Sequence, residues 1–364
     1  MNPAAPGTPP TGLPGPDHVG PGLPGPDHAA RDLPGPPVPL PPRSTWRADC
    51  HHLLLSLAGT VDDDALTRAR RYLAASARPD FAREVLRAVQ AAGAALPEGD
   101  ADLLAEVLEA DGQDSGPLDL LPPPPARPTP LPYVFEAVGA AAPPALAAAA
   151  ARAGAHGLWC ARRRPATGRA RPARGVYVCE TPPGTDLPAV TAVLLDALAA
   201  AGETAAQAEV YATGDRLPRY QRAARDAGAP VWAARRTPFT AAPVFDGVTD
   251  AGRPFFRPGH PRLELGERAR VLAYLRAGTP LLDCPEPLDD VVDPTRPGGV
   301  PAGIRTDGTW LWSDASAHYL DAYGLAPAEG LLRHIRAADH TAPPVDDTTR
   351  HRALAHCTAG PPRP

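Results

Sequence analysis

The placement of proline constrains the fold of this chain more than any other feature of its sequence. Proline lacks a backbone N–H and has a fixed φ, so dense runs of it interrupt helices and central strands. Residues 1–43 hold 15 prolines and repeat the motif GLPGPDH at 12–18 and 22–28. Because this segment has no aromatic residue and few large aliphatic ones, we expect a disordered tail with polyproline II character. A passive tail is favoured over a ligand for a domain with an aromatic groove.

A second proline-rich segment, residues 115–131, contains LPPPPARPTPL and predicts a stiff spacer between two domains. Residues 44–114 precede it and carry capping residues, apolar residues at helical spacing and glycine stops. Ser44 and the aspartates at 62–64 are candidate helix caps. The sequence therefore predicts a small helical domain of four helices before the spacer.

Residues 132–239 alternate between strand-like and helix-like patterns, and predict an α/β sheet domain. Strand patterns cover 158–163, 176–181, 208–213 and 231–234, and two helices that end at Gly202 and Gly228 fall between the later ones. A helix between consecutive strands is the usual crossover of a parallel pair, so we expect at least one parallel pair in one mixed sheet.

Residues 240–340 predict an α+β module at the C-terminal end, with a β-hairpin followed by two helices. The residues after it, 341–364, are expected to be a disordered tail. The predicted fold class is therefore α+β, or α/β, with a helical domain, a proline-rich spacer, a mixed sheet with helices and a hairpin-helix module.

The hairpin signal is Asp307-Gly308, a dipeptide that favours a two-residue type I′ turn between extended flanks. Such a turn pairs Arg305 with Trp310 and places Arg305, Trp310 and Trp312 on one face of the hairpin. The tryptophans can form part of the core, or one of them can be an exposed binding anchor beside Arg305. The core interpretation is favoured because two tryptophans bury a large apolar area.

The segment RTDGTWLWSDASAHYLDAYGLAPAEGLLRHIRA, residues 305–337, resembles the C-terminal module of a group of actinobacterial proteins. No activity is known for that group, so the resemblance implies no function or site residue. Such proteins also resemble partners or immunity factors of bacterial toxin systems, although no motif in this sequence carries that likeness.

Charge and cysteine content exclude several classes of protein. The net charge of −5 argues against non-specific nucleic-acid binding, which requires a broad basic surface. The five cysteines are odd in number and form no CxxC pair, which indicates reduced thiols and a cytoplasmic location. Neither a secretory signal nor a long apolar run is present, so we expect no membrane segment.

The metal-ligand residues of the sequence lack the spacing of known metal sites, so we expect neither a metal ion nor another cofactor. The candidate ligands fall into three groups: Cys50, His51 and His52; His351, His356 and Cys357; and the acidic loop of Asp283, Glu286, Asp289, Asp290 and Asp293. Neighbouring residues on a helix point in different directions, and the acidic loop lacks the pattern of a calcium loop.

Catalytic motifs are weak throughout the chain. The G-x-S-x-G elbow, the P-loop and the G-x-G-x-x-G motif are absent. His318 and Asp314 are four residues apart on a predicted helix and could form an oriented base, with Asp307 nearby in sequence. This arrangement supports an alternative function as a hydrolase or transferase.

An arginine-rich segment is the strongest candidate for binding. Every basic residue of the chain is arginine, a bias typical of GC-rich coding sequences, and six of them fall within thirteen residues: Arg162, Arg163, Arg164, Arg169, Arg171 and Arg174. If they lie in one loop between two strands, their guanidinium groups can meet a phosphate or an anionic protein surface. The sequence favours a non-enzymatic intracellular interaction or adaptor protein, one form of which is an immunity-like partner of another bacterial protein.

Overall fold

A computed structural model of the protein describes residues 46–127, 130–139, 141–166, 173–203, 205–295 and 297–358. The predicted tail at 1–43 lies outside these residues, as do Arg169 and Arg171. In the described part the protein has the predicted α+β class, with an N-terminal helical region, mixed sheets with interleaved helices, and a C-terminal hairpin followed by helices. No helix among the described residues is long and apolar enough to cross a membrane.

The N-terminal region contains the four predicted helices: α1 Trp46–Leu57, α2 Asp63–Ala74, α3 Arg78–Ala92 and α4 Glu98–Glu109. The carboxylate of Asp62 accepts hydrogen bonds from the N–H groups of Asp64 and Ala65, which begins α2 as the capping pattern predicts. Gly93 ends α3 with a positive φ of 57°.

A mixed sheet of five strands follows, with its elements in the order β1 Tyr133–Ala137, α5 Pro144–Arg152, β2 Gly157–Pro165, β3 Arg174–Thr181, α6 Leu187–Ala200, β4 Gln207–Ala212, α7 Arg219–Ala227 and β5 Ala229–Ala233. The strands lie in the order β1-β2-β3-β4, and β5 also pairs with β2. β3 and β4 are parallel and are joined by α6, which confirms the predicted crossover. The other pairs are antiparallel.

The N-terminal helices and the sheet share one hydrophobic core. Leu53, Leu66 and Phe81 of the helices pack in the same cluster as Trp159 and Val178 of the sheet, while α5 and α6 cover the opposite sheet face. In the spacer, a short 3-10 helix at Gly116–Leu120 lies against this core through Leu118. The helices of residues 44–114 and the sheet strands therefore bury their apolar faces in one cluster.

The C-terminal part contains a second sheet and its helices: β6 Thr240–Ala241, β7 Gly247–Val248, β8 Pro254–Phe255, α8 Leu265–Ala277, β9 Thr279–Leu282, β10 Ile304–Thr306, β11 Trp310–Ser313, α9 Asp314–Tyr323 and α10 Glu329–Ala337. The sheet order is β6-β11-β10-β9, and β7 pairs with β8 alone. Helices α8, α9 and α10 pack on the sheet around Trp312.

The predicted register of the β10–β11 hairpin is wrong by two residues. Arg305 pairs with Trp312, and Thr306 pairs with Leu311, so four residues rather than two lie between the last paired residues of the hairpin. The Asp307 carboxylate accepts hydrogen bonds from the N–H groups of Thr309 and Trp310, both at 2.8 Å. These side-chain hydrogen bonds close the turn and replace the backbone pairing of a type I′ turn. A shift of two residues preserves the alternation, so both tryptophans remain on one face.

The prediction of a disordered tail at 341–364 is also wrong where the structure describes it. Residues Asp347–Thr358 form a helix, α11, of which Thr348, Thr349 and Ala353 are buried. The Glu180 carboxylate accepts hydrogen bonds from the N–H groups of Asp347 and Thr348, at 2.8 Å each. Contacts with the distant sheet therefore stabilise this helix, and its local sequence carries no signal of them.

Candidate functional site

A concave cleft with four arginines lies where the β2–β3 hairpin extends past α2 and α3. Its cavity has a volume of about 820 Å³. We define the arginine cleft by the residues Arg68, Arg87, Arg163 and Arg174, together with the carboxylates Asp63 and Glu84. The first two arginines and both acids lie on helices, and the other two arginines lie on the strands.

Each carboxylate of the arginine cleft contacts two arginines. Asp63 Oδ1 accepts a hydrogen bond from Arg163 Nη1 at 3.0 Å, and Asp63 Oδ2 lies 3.0 Å from Arg174 Nη1. Glu84 contacts Arg68 at 2.8 Å and Arg87 at 2.6 Å. Four positive charges therefore share these two negative ones.

Three of the four arginines in the cleft are more exposed than the two carboxylates that they contact. The carboxylate side chains of Asp63 and Glu84 are 10% and 6% exposed, whereas those of Arg68 and Arg87 are 53% and 68% exposed, and that of Arg174 is 32% exposed. A molecule that enters the cleft therefore meets these three guanidinium groups before it meets the carboxylates of Asp63 and Glu84. Two exposed carboxylates also lie at the cleft: Asp62 lines the cavity, and Asp64 lies 3.8 Å from Arg174.

Arg163 forms the buried base of the arginine cleft. Its Nη1 donates a hydrogen bond to the Tyr220 hydroxyl at 2.8 Å, and its guanidinium lies 4.3 Å from the centre of the Tyr133 ring. Burial alone would lower the pKa of this guanidinium, but its hydrogen bonds to Asp63 and Tyr220 raise the pKa above the usual value. Arg163 is thus held in place as a cation.

The structure separates the arginines that the sequence groups together. β2 and β3 extend into the predicted loop. Strand alternation places Arg163 on the sheet face that packs against α2, and places Arg162 and Arg164 on the opposite face. Arg164 forms an ion pair with Glu136 there. Arg68 and Arg87 were missed by sequence reasoning, because residues on helices a hundred positions away carry no local signal of this contact.

The proposed catalytic residues do not form one site. His318 Nε2 lies 3.2 Å from Asp290 Oδ2 rather than beside Asp314. Asp314 accepts a hydrogen bond from Arg305 Nε at 2.6 Å. Asp307 accepts from the Tyr274 hydroxyl at 2.6 Å and lies 2.7 Å from His334 Nε2. Each residue therefore has a different partner in the packing of the C-terminal part.

The hairpin residues proposed for binding take part in the same packing. Trp312 is 1% exposed and donates a hydrogen bond from Nε1 to the Leu275 carbonyl at 3.2 Å. Trp310 is half-buried against the same core. Arg305 also donates to the carbonyl of Gly278 at 3.0 Å, so its guanidinium joins β10 to the end of α8.

The candidate metal ligands of the sequence do not come together among the described residues. Cys50 is buried in the core, and burial raises the pKa of its thiol to about 12. His51 is buried beside β4, with its Nε2 2.8 Å from the Val210 carbonyl, and burial lowers its pKa to about 4. His351 lies against Trp159, and His356 lies against Phe239. In the acidic loop, the Asp290 carboxylate accepts hydrogen bonds from the N–H groups of Val292 and Asp293.

A different cluster, which sequence reasoning missed, brings together His156, Glu180 and Asp346. One ligand atom of each lies within 4.8 Å of those of the other two. Burial raises the pKa of Glu180, and its hydrogen bonds to Thr348 and to the N–H of Asp347 act against that shift. Because these residues are far apart in sequence, no spacing pattern could have indicated the cluster.

Comparison with known proteins places this chain in no family: no protein-family model, curated protein or solved structure has significant similarity to it.

Proposed function

We propose that this protein is a non-enzymatic protein-interaction or adaptor protein, which binds an acidic segment of a partner protein in the arginine cleft. The observation that carries the proposal is the arrangement of charge in the cleft. Four guanidinium groups share two buried carboxylates, and three of the four arginines, Arg68, Arg87 and Arg174, are partly exposed. The accessible part of the cleft carries these three arginines and the exposed carboxylates of Asp62 and Asp64, so arginine is in excess there, although the net charge of the chain is −5.

Arginine suits this role because its planar guanidinium can donate two parallel hydrogen bonds to one carboxylate. Arg87 and Arg174 are partly exposed, and each shares its internal acid with a second arginine. An incoming Asp or Glu side chain can therefore pair with either one while the internal carboxylate keeps its other partner. Such charge pairs raise the association rate and weaken as salt is added.

The cellular setting of the proposal is the cytoplasm. All five cysteines are free thiols, as expected in a reducing compartment. An immunity-like role, in which the partner is another bacterial protein, is one form of this function. A hydrolase or transferase based on His318, Asp314 and Asp307 receives less support, since each of these residues contacts a different partner in the fold.

Affinity capture from a lysate of the native host tests the proposal. The baits are the wild-type protein, the variant Arg87→Ala/Arg174→Ala and the control Arg162→Ala/Arg333→Ala, which removes two arginines outside the cleft. Each acid of the cleft keeps one arginine in the cleft variant, so we expect all three proteins to fold alike. Mass spectrometry should identify a protein that the wild type and the control retain and the cleft variant loses.

Retention of the same proteins by all three baits would contradict the proposal. A second arm tests inorganic pyrophosphate by titration calorimetry. If pyrophosphate binds and the cleft variant still captures every protein that the wild type captures, the arginine cleft is instead a site for a small phosphate ligand.

A further inference from the structure

The cluster of His156, Glu180 and Asp346 is built by three separate parts of the chain. His156 immediately precedes β2, Glu180 lies near the end of β3, and Asp346 immediately precedes α11. The N–H of His156 donates a hydrogen bond to the Glu180 carbonyl at 2.7 Å, which fixes the first two relative to each other.

Gly157 allows the third part to approach. A Cβ atom at this position would lie 2.4 Å from the side chain of Thr348, so any other residue would push the start of α11 away. The close contact keeps Asp346 near His156, with 4.0 Å between Asp346 Oδ2 and His156 Nδ1.

The absence of an arginine or histidine partner for the buried Glu180 carboxyl group, within the described residues, is the feature that points to a ligand. Six carboxylates are buried among the described residues, and five of them contact an arginine or a histidine within 4.0 Å: Asp63, Glu84, Glu209, Asp290 and Asp307. Glu180 is fully buried and has no such ion pair in the described part of the chain, and its nearest charged neighbours include a second carboxylate, Asp346. Two carboxylates this close together repel each other, and a proton or a bound cation relieves the repulsion.

The carboxylates are held in fixed orientations. Glu180 accepts the N–H groups of Asp347 and Thr348, and Asp346 accepts the N–H of Thr349 at 2.7 Å. Hydrogen bonds of this kind orient metal ligands in proteins. The hydroxyls of Thr213 and Thr348 also donate to Glu180, at 2.9 and 2.7 Å. Because a hydroxyl can rotate, these two donors can give up the carboxylate oxygens to an ion.

One side of the cluster is open. His156 and Asp346 line a cavity of about 690 Å³ together with Trp232 and Arg235. A set of three protein ligands with an open side is typical of metal sites that leave a coordination position free for water or a ligand.

We propose that His156, Glu180 and Asp346 bind one divalent transition-metal ion, Zn²⁺ or Mn²⁺, at the base of this cavity. One imidazole favours a transition metal, and two carboxylates favour a hard divalent ion, so these two metals fit the mixed set. The site is independent of the arginine cleft, and none of its residues belongs to the cleft. It reverses the expectation of no metal ion that the sequence gives.

Titration calorimetry of the full chain, stripped of metal with a chelator and then titrated with ZnCl₂ or MnCl₂, tests the site. Wild-type protein should bind one ion, and the variants His156→Gln and Asp346→Asn should bind it at least tenfold more weakly. Asp346→Asn retains an oxygen that can accept the N–H of Thr349, so α11 keeps its cap. The control His52→Ala changes an exposed histidine on α1 and should bind as the wild type does.

Wild-type crystals soaked in ZnCl₂ give a second measurement that does not depend on the variants folding. An anomalous peak should lie about 2.0–2.2 Å from a nitrogen of His156 and an oxygen of each carboxylate. Equal affinity in the wild type and both ligand variants would overturn the proposal. So would a zinc peak elsewhere with none at this cluster, or no binding of either metal at millimolar concentration.

Discussion

The ion pair between Arg70 and Glu209 joins α2 to β4, and replacing Glu209 with glutamine is expected to destabilise the fold strongly. The two side chains are 1% exposed each, with 2.7 Å between Arg70 Nη2 and Glu209 Oε2. Gln207 accepts a second hydrogen bond from Arg70 at 3.0 Å. In the variant Arg70 remains buried and charged, with only neutral amides beside it.

Breaking a buried pair by removing one partner typically costs about 3–5 kcal/mol, because the remaining charge is desolvated without compensation. The net stability of a domain is only about 5–15 kcal/mol, so the expected loss is a large part of it. The double variant Arg70→Met/Glu209→Gln should recover part of the loss, since it removes the buried charge.

Urea denaturation followed by circular dichroism measures the free energy of unfolding. The control is Asp196→Asn, which breaks the exposed pair between Arg71 on α2 and Asp196 on α6 and should cost at most about 1 kcal/mol. A loss below about 1 kcal/mol in Glu209→Gln would refute the reasoning. Separate unfolding transitions for the helices and the sheet would refute their shared core.

Three further predictions concern the hairpin and a buried histidine. Trp312→Ala should lower the free energy of unfolding by roughly 3–5 kcal/mol because the side chain is fully buried, and Trp310→Ala should lower it by less. Urea denaturation of each variant measures the loss, and equal small losses would contradict the prediction. Gly308→Val should lower the melting temperature, since Gly308 has a φ of +90° that a β-branched residue resists. The control Gly266→Ala lies on α8 with open space around it and should not lower the melting temperature. The pKa of His51 falls from 6.5 to about 4 on folding, so as the pH is lowered the unfolded chain binds a proton before the folded protein does. The folded state therefore loses about 3 kcal/mol of stability as the pH falls from 6.5 to 4. His51→Gln should lose less stability than the wild type over this pH range, and identical losses would count against the shift.

Local signals in the sequence were enough to predict most of the helices and strands. The cap at Asp62 and the stop at Gly93 each mark a helix end that the structure contains. The crossover from β3 through α6 to the parallel strand β4 was predicted for the same reason, since its periodicity is regular over the whole unit. These features depend on neighbouring residues, and so the sequence carries them directly.

Features that depend on distant contacts could not be predicted in this way. The Glu180 carboxylate on β3 accepts the first N–H groups of α11. The Asp307 side chain sets the hairpin register through hydrogen bonds that the dipeptide signal does not include. Of the four arginines in the cleft, only two were singled out from the sequence. Arg163 and Arg174 belong to the arginine-rich segment, but strand alternation separates them from Arg162, and their acidic partner lies on α2.

Calorimetric titration of an oligoglutamate peptide into the full chain tests the proposed function most directly. The wild type should bind the peptide at low ionic strength, with an affinity that falls as salt is added. The variant Arg87→Ala/Arg174→Ala should bind at least tenfold more weakly, while the control Arg162→Ala/Arg333→Ala should match the wild type. Equal binding by all three proteins, or no binding by the wild type at low salt, would contradict an acidic partner in the arginine cleft.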